Sequence, residues 1–357
     1  MVSMTKKILY CFAGNSVFGY RDAEMLSQNY TVKICHYDLS GNLFLKGVHF
    51  IHYSLKVIWS LSIADVIIVN FGAWHTIFPV VMGKLARKKT IILLGGFDAG
   101  NIPSIRYGIF HKPSILQFLL RKVYRMATYL CPVSDALVSS INYYADPSGE
   151  GYQVGILHFI PDVRSKIKVI PTDYDQDFWM PDINLLRNGV IALAYIYNEK
   201  TYVLKGFDLL VECAKMLPEI PFTFAGFSPE MVEKTKPNIP ANVKLLSFQT
   251  PEASKVLFQK HKIFVLPSLT EGLPNTLCEA MLCGCIPIVS NVGVMPDLVG
   301  KLGYVLDQKK PENLKILIRN AVLNENYEMK KIREKISMNY FKGIRLSKLQ
   351  ELINKEQ

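Results

Sequence analysis

The sequence predicts an α/β protein of two doubly wound, Rossmann-like domains, and three observations carry that expectation. Over residues 1–175, short apolar runs alternate with Gly-bearing loops and helical periodicity, as parallel strands with crossover helices require. From Pro171 to Arg187 the chain is rich in Asp and Pro and keeps neither period, which places a hinge at 176–187. The rhythm restarts over 188–335, and a charged helical segment, 336–357, ends the chain. A length of 357 residues, half of them hydrophobic, is enough for two packed cores.

The elements follow in order. Lys7–Phe12 reads as the first strand and opens into the loop Ala13–Gly19; Tyr30–His36 reads as the second. Asp65–Val69 and Thr90–Leu94 follow, each running into a Gly-bearing loop, Asn70–His75 and Gly95–Gly100. Tyr129–Pro132 and Ile167–Ile170 complete the expected sheet. Helical spacing marks Ile77–Ala86 (with Pro79 in its first turn), Ile115–Ala127 and Asp135–Tyr143. In the second domain the strands are Val190–Ile196, Phe222–Ala225, Val243–Leu246, Ile263–Leu266 and Ile286–Val289, with helices at Gly206–Lys215 and Pro251–Gln259.

Composition excludes several classes. The seven cysteines form no CxxC pair and sit mostly in apolar runs, as reduced core thiols do, so no metal site is expected. The apolar run Ile8–Ala13 is too short for a signal peptide, and no stretch reaches the ~18 apolar residues of a spanning helix. A cytoplasmic protein is expected. The net charge of +11 is uneven: eleven lysines and arginines stand between residues 40 and 130, against Asp65 and Asp98 alone. A solvated basic face, an anionic membrane surface and nucleic acid compete to explain it. Interleaved aromatics such as Phe50, Tyr53, Trp59, Phe118 and Tyr124 favour the membrane over nucleic acid, for which no motif is present.

The chemistry concentrates in the second domain. Strand Ile263–Leu266 runs into a polar loop with Glu271; Gly272, Leu273 and Pro274 turn the chain, and the next helix carries Glu279. The N–H groups of Leu273, Asn275 and Thr276 (Pro274 has none) lie between the two carboxylates. A helix N-terminus at the carboxyl end of a sheet suits a phosphate, and flanking carboxylates suit sugar or ribose hydroxyls. Lys205-Gly206 opens an earlier helix of this domain, where a lysine can hold a diphosphate, and Ala225-Gly226-Phe227 ends a strand at the same sheet edge.

These residues resemble the donor-binding domain of GT-B glycosyltransferases of family 4, whose signature E-G-x-P-x-x-x-x-E-A reads here Glu271-Gly-Leu-Pro-Asn-Thr-Leu-Cys-Glu279-Ala280. Val265–Ser268 precedes it, Met281–Val289 follows like the family's A-M-x-x-G-x-P-V-V, and Gly293–Asp297 resembles G-G-x-x-E. Lys205-Gly206 matches K-G, and Ile170–Asp175 resembles I-P-N-G-V-D at the domain junction. The resemblance implies two domains facing across a cleft, with the acceptor on the first and the nucleotide sugar on the second. It also implies that the terminal helix crosses back to the first domain. By position, Glu271 would contact donor-sugar hydroxyls and Glu279 the ribose, with Lys205 and the intervening N–H groups on the leaving diphosphate. Family chemistry further implies retention at the anomeric carbon without a metal, a UDP- or GDP-sugar as donor, and a glycan or lipid-linked acceptor in cell-surface polysaccharide synthesis.

The chain also departs from the family. No Arg precedes Lys205 between Tyr195 and Leu204, leaving Lys200 as a substitute that lacks the guanidinium fork. Where the family often has a His, this chain has Gly95-Gly96-Phe97-Asp98, with His75 on an earlier loop; Asp98 and His75 are therefore candidate catalytic residues. Two other readings stand beside this one: a metal-dependent GT-A transferase using Asp173, Asp175 and Asp177, and a catalytically inactive GT-B glycan-binding subunit. A dehydrogenase is disfavoured because GxGxxG is absent from both halves.

Overall fold

The computed structural model describes residues 6–356; positions 1–5 and 357 of the expected spans lie outside the described residues. The chain forms two compact units. One comprises the chain up to Ser140, Gln153–Pro171 and the chain from Gly343; the other comprises Ile141–Tyr152 and Thr172–Lys342.

The first unit is built on a parallel sheet of β1 (Lys7–Ala13), β2 (Thr31–Tyr37), β3 (Val66–Asn70), β4 (Lys89–Leu94) and β5 (Tyr129–Pro132), ordered β2-β1-β3-β4-β5. Every residue of β3 and β4 is buried, as a strand covered on both faces requires. Helices α1 (Val17–Ser27), α2 (Leu43–Leu61), α3 (Trp74–Leu85) and α4 (Ile115–Met126) make the crossovers. The loop expected at Ala13–Gly19 ends early, because the Ser16 hydroxyl accepts the Gly19 N–H and caps α1. Helix α2 escapes a periodicity reading because apolar residues occupy all of its faces.

Two expected elements differ. Asp135–Tyr143 is not a helix: a 3-10 turn, Asp135–Leu137, gives way to the short strand β6 (Ser140–Asn142). The Asn142 side chain accepts the Ala145 N–H and donates to the Leu269 carbonyl, bonds that favour a turn over a helix. Strand β7 (Tyr152–Val154) and the one-turn helix α5 (Ile156–Phe159) follow. Ile167–Ile170 forms a single bridge, Leu130 to Ile167, with two further bonds to β5, and Pro171 then ends the ladder for want of an N–H.

The second unit carries a six-stranded parallel sheet ordered β10-β9-β8-β11-β12-β13. Its strands are β8 (Val190–Ile196), β9 (Phe222–Phe227), β10 (Val243–Ser247), β11 (Ile263–Leu266), β12 (Ile286–Ser290) and β13 (Tyr304–Leu306). The helices between them are α6 (Glu199–Leu204), α7 (Phe207–Lys215), α8 (Pro229–Thr235), α9 (Pro251–Lys260), α10 (Asn275–Leu282) and α11 (Met295–Val299). Helices α12 (Pro311–Leu323) and α13 (Met329–Ser337) follow the last strand. This unit runs from Thr172 to Lys342, so the boundaries expected at 175 and 335 shift. The cause is local. Tyr174 N–H bonds the Tyr340 carbonyl at 2.9 Å, Lys342 pairs with Asp175 at 2.7 Å, and Arg333 binds the carbonyls of Gln176, Trp179 and Leu282.

The terminal helix α14 (Ile344–Asn354) is built into the first unit. Its Leu349, Leu352 and Ile353 share a core with Ile8, Tyr10 and Ile68. Arg345 makes a fork to Asp22, at 2.8 and 2.6 Å, and Tyr10 donates to the same carboxylate at 3.1 Å. Lys89, one of the residues counted toward a basic face, instead donates to the carbonyls of Leu352, Ile353 and Lys355 and caps this helix. All seven cysteines are buried and free.

Candidate active site

In the second unit strand order reverses between β8 and β11, and the loops leaving such a pair form a crevice. The sequence stitches these two loops together. Gly206 follows Lys205 with φ +74°, and a Cβ on it would stand 2.4 Å from the Pro267 carbonyl oxygen. The Leu269 N–H bonds the Leu204 carbonyl at 2.8 Å. From the short excursion Ile141–Tyr152, the Asn142 amide donates to the Leu269 carbonyl at 2.7 Å and the Tyr144 hydroxyl to that of Pro267 at 3.4 Å. Nothing in the sequence pattern marks these two residues as braces of the loop.

The consequence is an ion pair. Lys205 Nζ lies 2.6 Å from Glu271 Oε1, with the side chains 23% and 10% exposed. Leu273 and Pro274 are buried and carry the chain into α10, whose N-terminus takes no side-chain cap. Its first-turn amides belong to Asn275, Thr276 and Leu277, so Leu277 joins the expected donors and Leu273 precedes the helix. The Asn275 side-chain oxygen Oδ1 accepts from the hydroxyls of Tyr174, at 2.8 Å, and Thr172, at 3.3 Å. Burial raises the Tyr174 hydroxyl well above its ordinary pKa, with smaller pushes from the Cys278 thiol and the Glu279 carboxylate. Glu279 is half-buried, one helical turn after Asn275 on the same face of α10.

Gly226 belongs to this sheet edge for a steric reason. Its φ is +95°, and a Cβ would meet the Ala194 carbonyl oxygen at 2.1 Å, beside the irregularity where β8 and β9 lose register. Flanking it, Tyr195 and Phe248 stack with ring centroids 4.9 Å apart and remain 62% and 41% exposed. Residue type alone does not reveal this stack, because Tyr195 lies on β8 and Phe248 just after β10. Lys200 is exposed on the short helix α6.

The first-unit candidates have other duties. Asp98 is buried, and its carboxylate accepts the backbone N–H groups of Gly72, Gly95 and Gly96 at 2.9–3.1 Å. It ties the loop after β3 to the loop after β4, and burial outweighs these bonds to raise its pKa. His75, at the start of α3, is likewise buried; its Nε2 lies 3.0 Å from the Asn70 carbonyl, and burial lowers its pKa to about 4. In the structure Asp98 and His75 are thus both engaged with backbone.

The GT-A reading of the three aspartates is corrected by the fold. Asp175 pairs with Lys342 and accepts the N–H groups of Asp177 and Phe178, which holds its carboxyl below the usual range, with the Lys342 hydrogen bond the main cause. Among the described residues no three His, Cys, Asp or Glu are placed to hold a metal. The two separate α/β units also leave no place for the single nucleotide domain that a GT-A reading requires.

Comparison with known proteins agrees with this geometry. Residues 194–339 match the family model of glycosyl transferases group 1. The gpi3 subunit of phosphatidylinositol N-acetylglucosaminyltransferase from Schizosaccharomyces pombe is 28% identical over 144 residues, covering 38% of this chain and 31% of that protein. The alpha-galactosylglucosyldiacylglycerol synthase of Streptococcus pneumoniae is 29% identical over 139 residues, 34% of this chain and 36% of that one. The alignments thus span about a third of these relatives' length. Among solved structures, sucrose-phosphate synthase from Thermosynechococcus elongatus superposes with a TM-score of 0.71 at 13% identity, covering 97% of this chain and 98% of that one. Anabaena HepE, in complex with UDP and glucose, gives 0.68 at 17%, covering 98% and 100%. Residues 194–339 are a glycosyl transferases group 1 domain, carried in a chain of GT-B fold.

Proposed function

We propose that the protein is a retaining, metal-independent glycosyltransferase that moves a sugar from a nucleotide-sugar donor to a hydroxyl of a glycan or lipid-linked acceptor. The observation that carries the reading is the Lys205–Glu271 pair beside the uncapped start of α10, at the reversal point of the sheet. In this reading the diphosphate takes the place of the Glu271 carboxylate as partner of Lys205. The first-turn amides of α10 complete the anion site. Released from the lysine, Glu271 accepts from donor-sugar hydroxyls, while Glu279 accepts from the ribose and the Tyr195–Phe248 stack offers a flat face to the base. Charge developing on the departing diphosphate is met by groups already in place, which is how such a site lowers its barrier. The acceptor hydroxyl attacks from the side the diphosphate leaves, and the diphosphate takes its proton.

A lipid-linked acceptor is favoured because two of the relatives are named for a phosphatidylinositol substrate and a glycosylated diacylglycerol product. Such an acceptor would be met at the cytoplasmic face of a membrane. The test is a panel of UDP-, GDP- and ADP-sugars scored by thermal stabilisation, since a ligand at about 100 times its Kd adds ~2.7 kcal/mol. One donor should raise the melting temperature, and its transfer should survive EDTA and disappear in Glu271→Ala. If no nucleotide sugar stabilises the protein, or EDTA abolishes transfer, the reading is wrong. Stabilisation without turnover by the unaltered chain would favour a glycan-binding subunit.

A further inference from the structure

Helix α2 packs on the first unit through Tyr53, Val57, Ser60 and Leu61, which are buried. A surface helix of this kind should turn a polar face to water. This one does not. Phe44, Val48, Ile51, Leu55, Ile58 and Trp59 are each between 45% and 77% exposed. At 3.6 residues per turn they fall in one stripe about 100° wide, roughly opposite the buried face. The stripe extends over four turns, far more than scattered surface apolar residues would give. The Asn42 side chain caps the helix by accepting the Leu45 N–H, so the exposed face is presented on an ordered element.

We propose that this stripe of α2 seats the protein on an anionic lipid surface. Charge selects that occupant. Helix α2 contains no acidic residue, and Lys56 and His52 border the stripe on one side. The Lys33 ammonium lies 3.3 Å from the centroid of the Trp59 ring, a polar head folded over an apolar body as at a lipid interface. Between residues 40 and 130 eleven basic residues stand against two aspartates, and nine of the eleven remain once Lys89, buried at the end of α14, and Arg125, paired with Asp162, are set aside. Of the two aspartates, Asp98 is buried under backbone amides and Asp65 accepts the Lys7 N–H. A second copy of the same positive surface would repel this one, whereas anionic headgroups attract it and the acyl boundary accepts the stripe. The inference deepens the lipid-acceptor reading and rests on it for its purpose. Its test uses no donor, so it can fail while transfer to a soluble acceptor succeeds, and the reverse.

The full chain is mixed with vesicles of phosphatidylcholine alone, or with a quarter phosphatidylglycerol, and sedimented. Binding should require the anionic lipid and fall at least tenfold in Ile51→Glu/Leu55→Glu. Both side chains are exposed, so circular dichroism should be unchanged, and Ile51→Ser/Leu55→Ser should weaken binding less. The shift in tryptophan emission on binding should vanish in Trp59→Phe. Three results overturn the proposal: no binding to anionic vesicles, equal binding by the double variants, or a wild-type dimer that Ile51→Glu/Leu55→Glu turns into monomer.

Discussion

Lys205 and Glu271 neutralise one another at 2.6 Å, so under the proposed function an incoming diphosphate would compete with a carboxylate for one ammonium. Two substitutions separate their roles. Lys205→Met removes the charge that meets the leaving group and should lower kcat by about 10²–10³, the range for losing one such group. Glu271→Gln leaves Lys205 without its carboxylate; binding of the nucleoside diphosphate alone should hold or tighten while kcat falls. Weaker diphosphate binding in Glu271→Gln would refute the exchange of partners. The nearness of Lys205 and Glu271 was legible in the sequence because spacing and neighbours marked them together. The burial of Asp98 and His75 was not, since residue type does not say whether a side chain meets solvent or its own backbone. For His75 the burial has a measurable sign. Its pKa of about 4 in the fold lies below the ordinary imidazole value of about 6.5, so the unfolded chain binds a proton first as pH falls. Stability is full above about pH 6.5 and is lost as pH drops toward 4, by ~1.4 kcal/mol at pH 5.5. The melting temperature of His75→Gln, measured over that window against the unaltered chain, should lack this share of the decline.

At the scale of elements, the loop–helix joints decide where those residues stand. Gly206 is one of them: any Cβ there meets the Pro267 carbonyl oxygen, and φ +74° strains an L-residue besides. Gly206→Ala should cost about 2 kcal/mol of stability and move Lys205 off Glu271, lowering turnover more than donor binding. Unchanged kcat in a folded Gly206→Ala would show that the joint does not position the lysine. Tyr174→Phe tests the other end of the site. It removes the hydroxyl that holds Asn275 and should cost ~1 kcal/mol in urea unfolding. Most β-strands were readable from sequence as short apolar runs, several of them, such as β1, β4 and β11, met at once by glycine or proline, whereas the three-residue strands β6, β7 and β13 were not. The helices were harder. Helix α2 hides its period by being apolar on both faces, and Asp135–Tyr143 has a helical pattern that Asn142 overrides with bonds to Ala145 and Leu269. In each case a partner distant in sequence, or at a surface, determines the outcome.

For the whole molecule, the chain order conceals how the first unit is closed. Its last piece arrives after the entire second unit, from Gly343 onward, and is fastened by Arg345 to Asp22, 323 residues earlier. Both side chains are nearly inaccessible, at 4% and 2% exposure, so neither charge can fall back on water. Arg345→Met should therefore destabilise the first unit by about 3–5 kcal/mol, most of it from the stranded Asp22 carboxylate and not from the loss of an attraction. The arithmetic of the double variant tests that cause. With Asp22→Leu added, the stranded charge disappears, and the double variant should recover at least half of what the single one lost. The tryptophans allow the two units to be followed separately: Trp59 and Trp74 lie in the first and Trp179 in the second. Urea unfolding monitored by Trp179 alone, in a Trp59→Phe/Trp74→Phe background, should shift less with Arg345→Met than unfolding monitored by the other two. A double variant less stable than Arg345→Met would mean that the terminal helix is held by the arginine's bonds to the carbonyls of Ile170 and Pro171, and that the carboxylate is incidental.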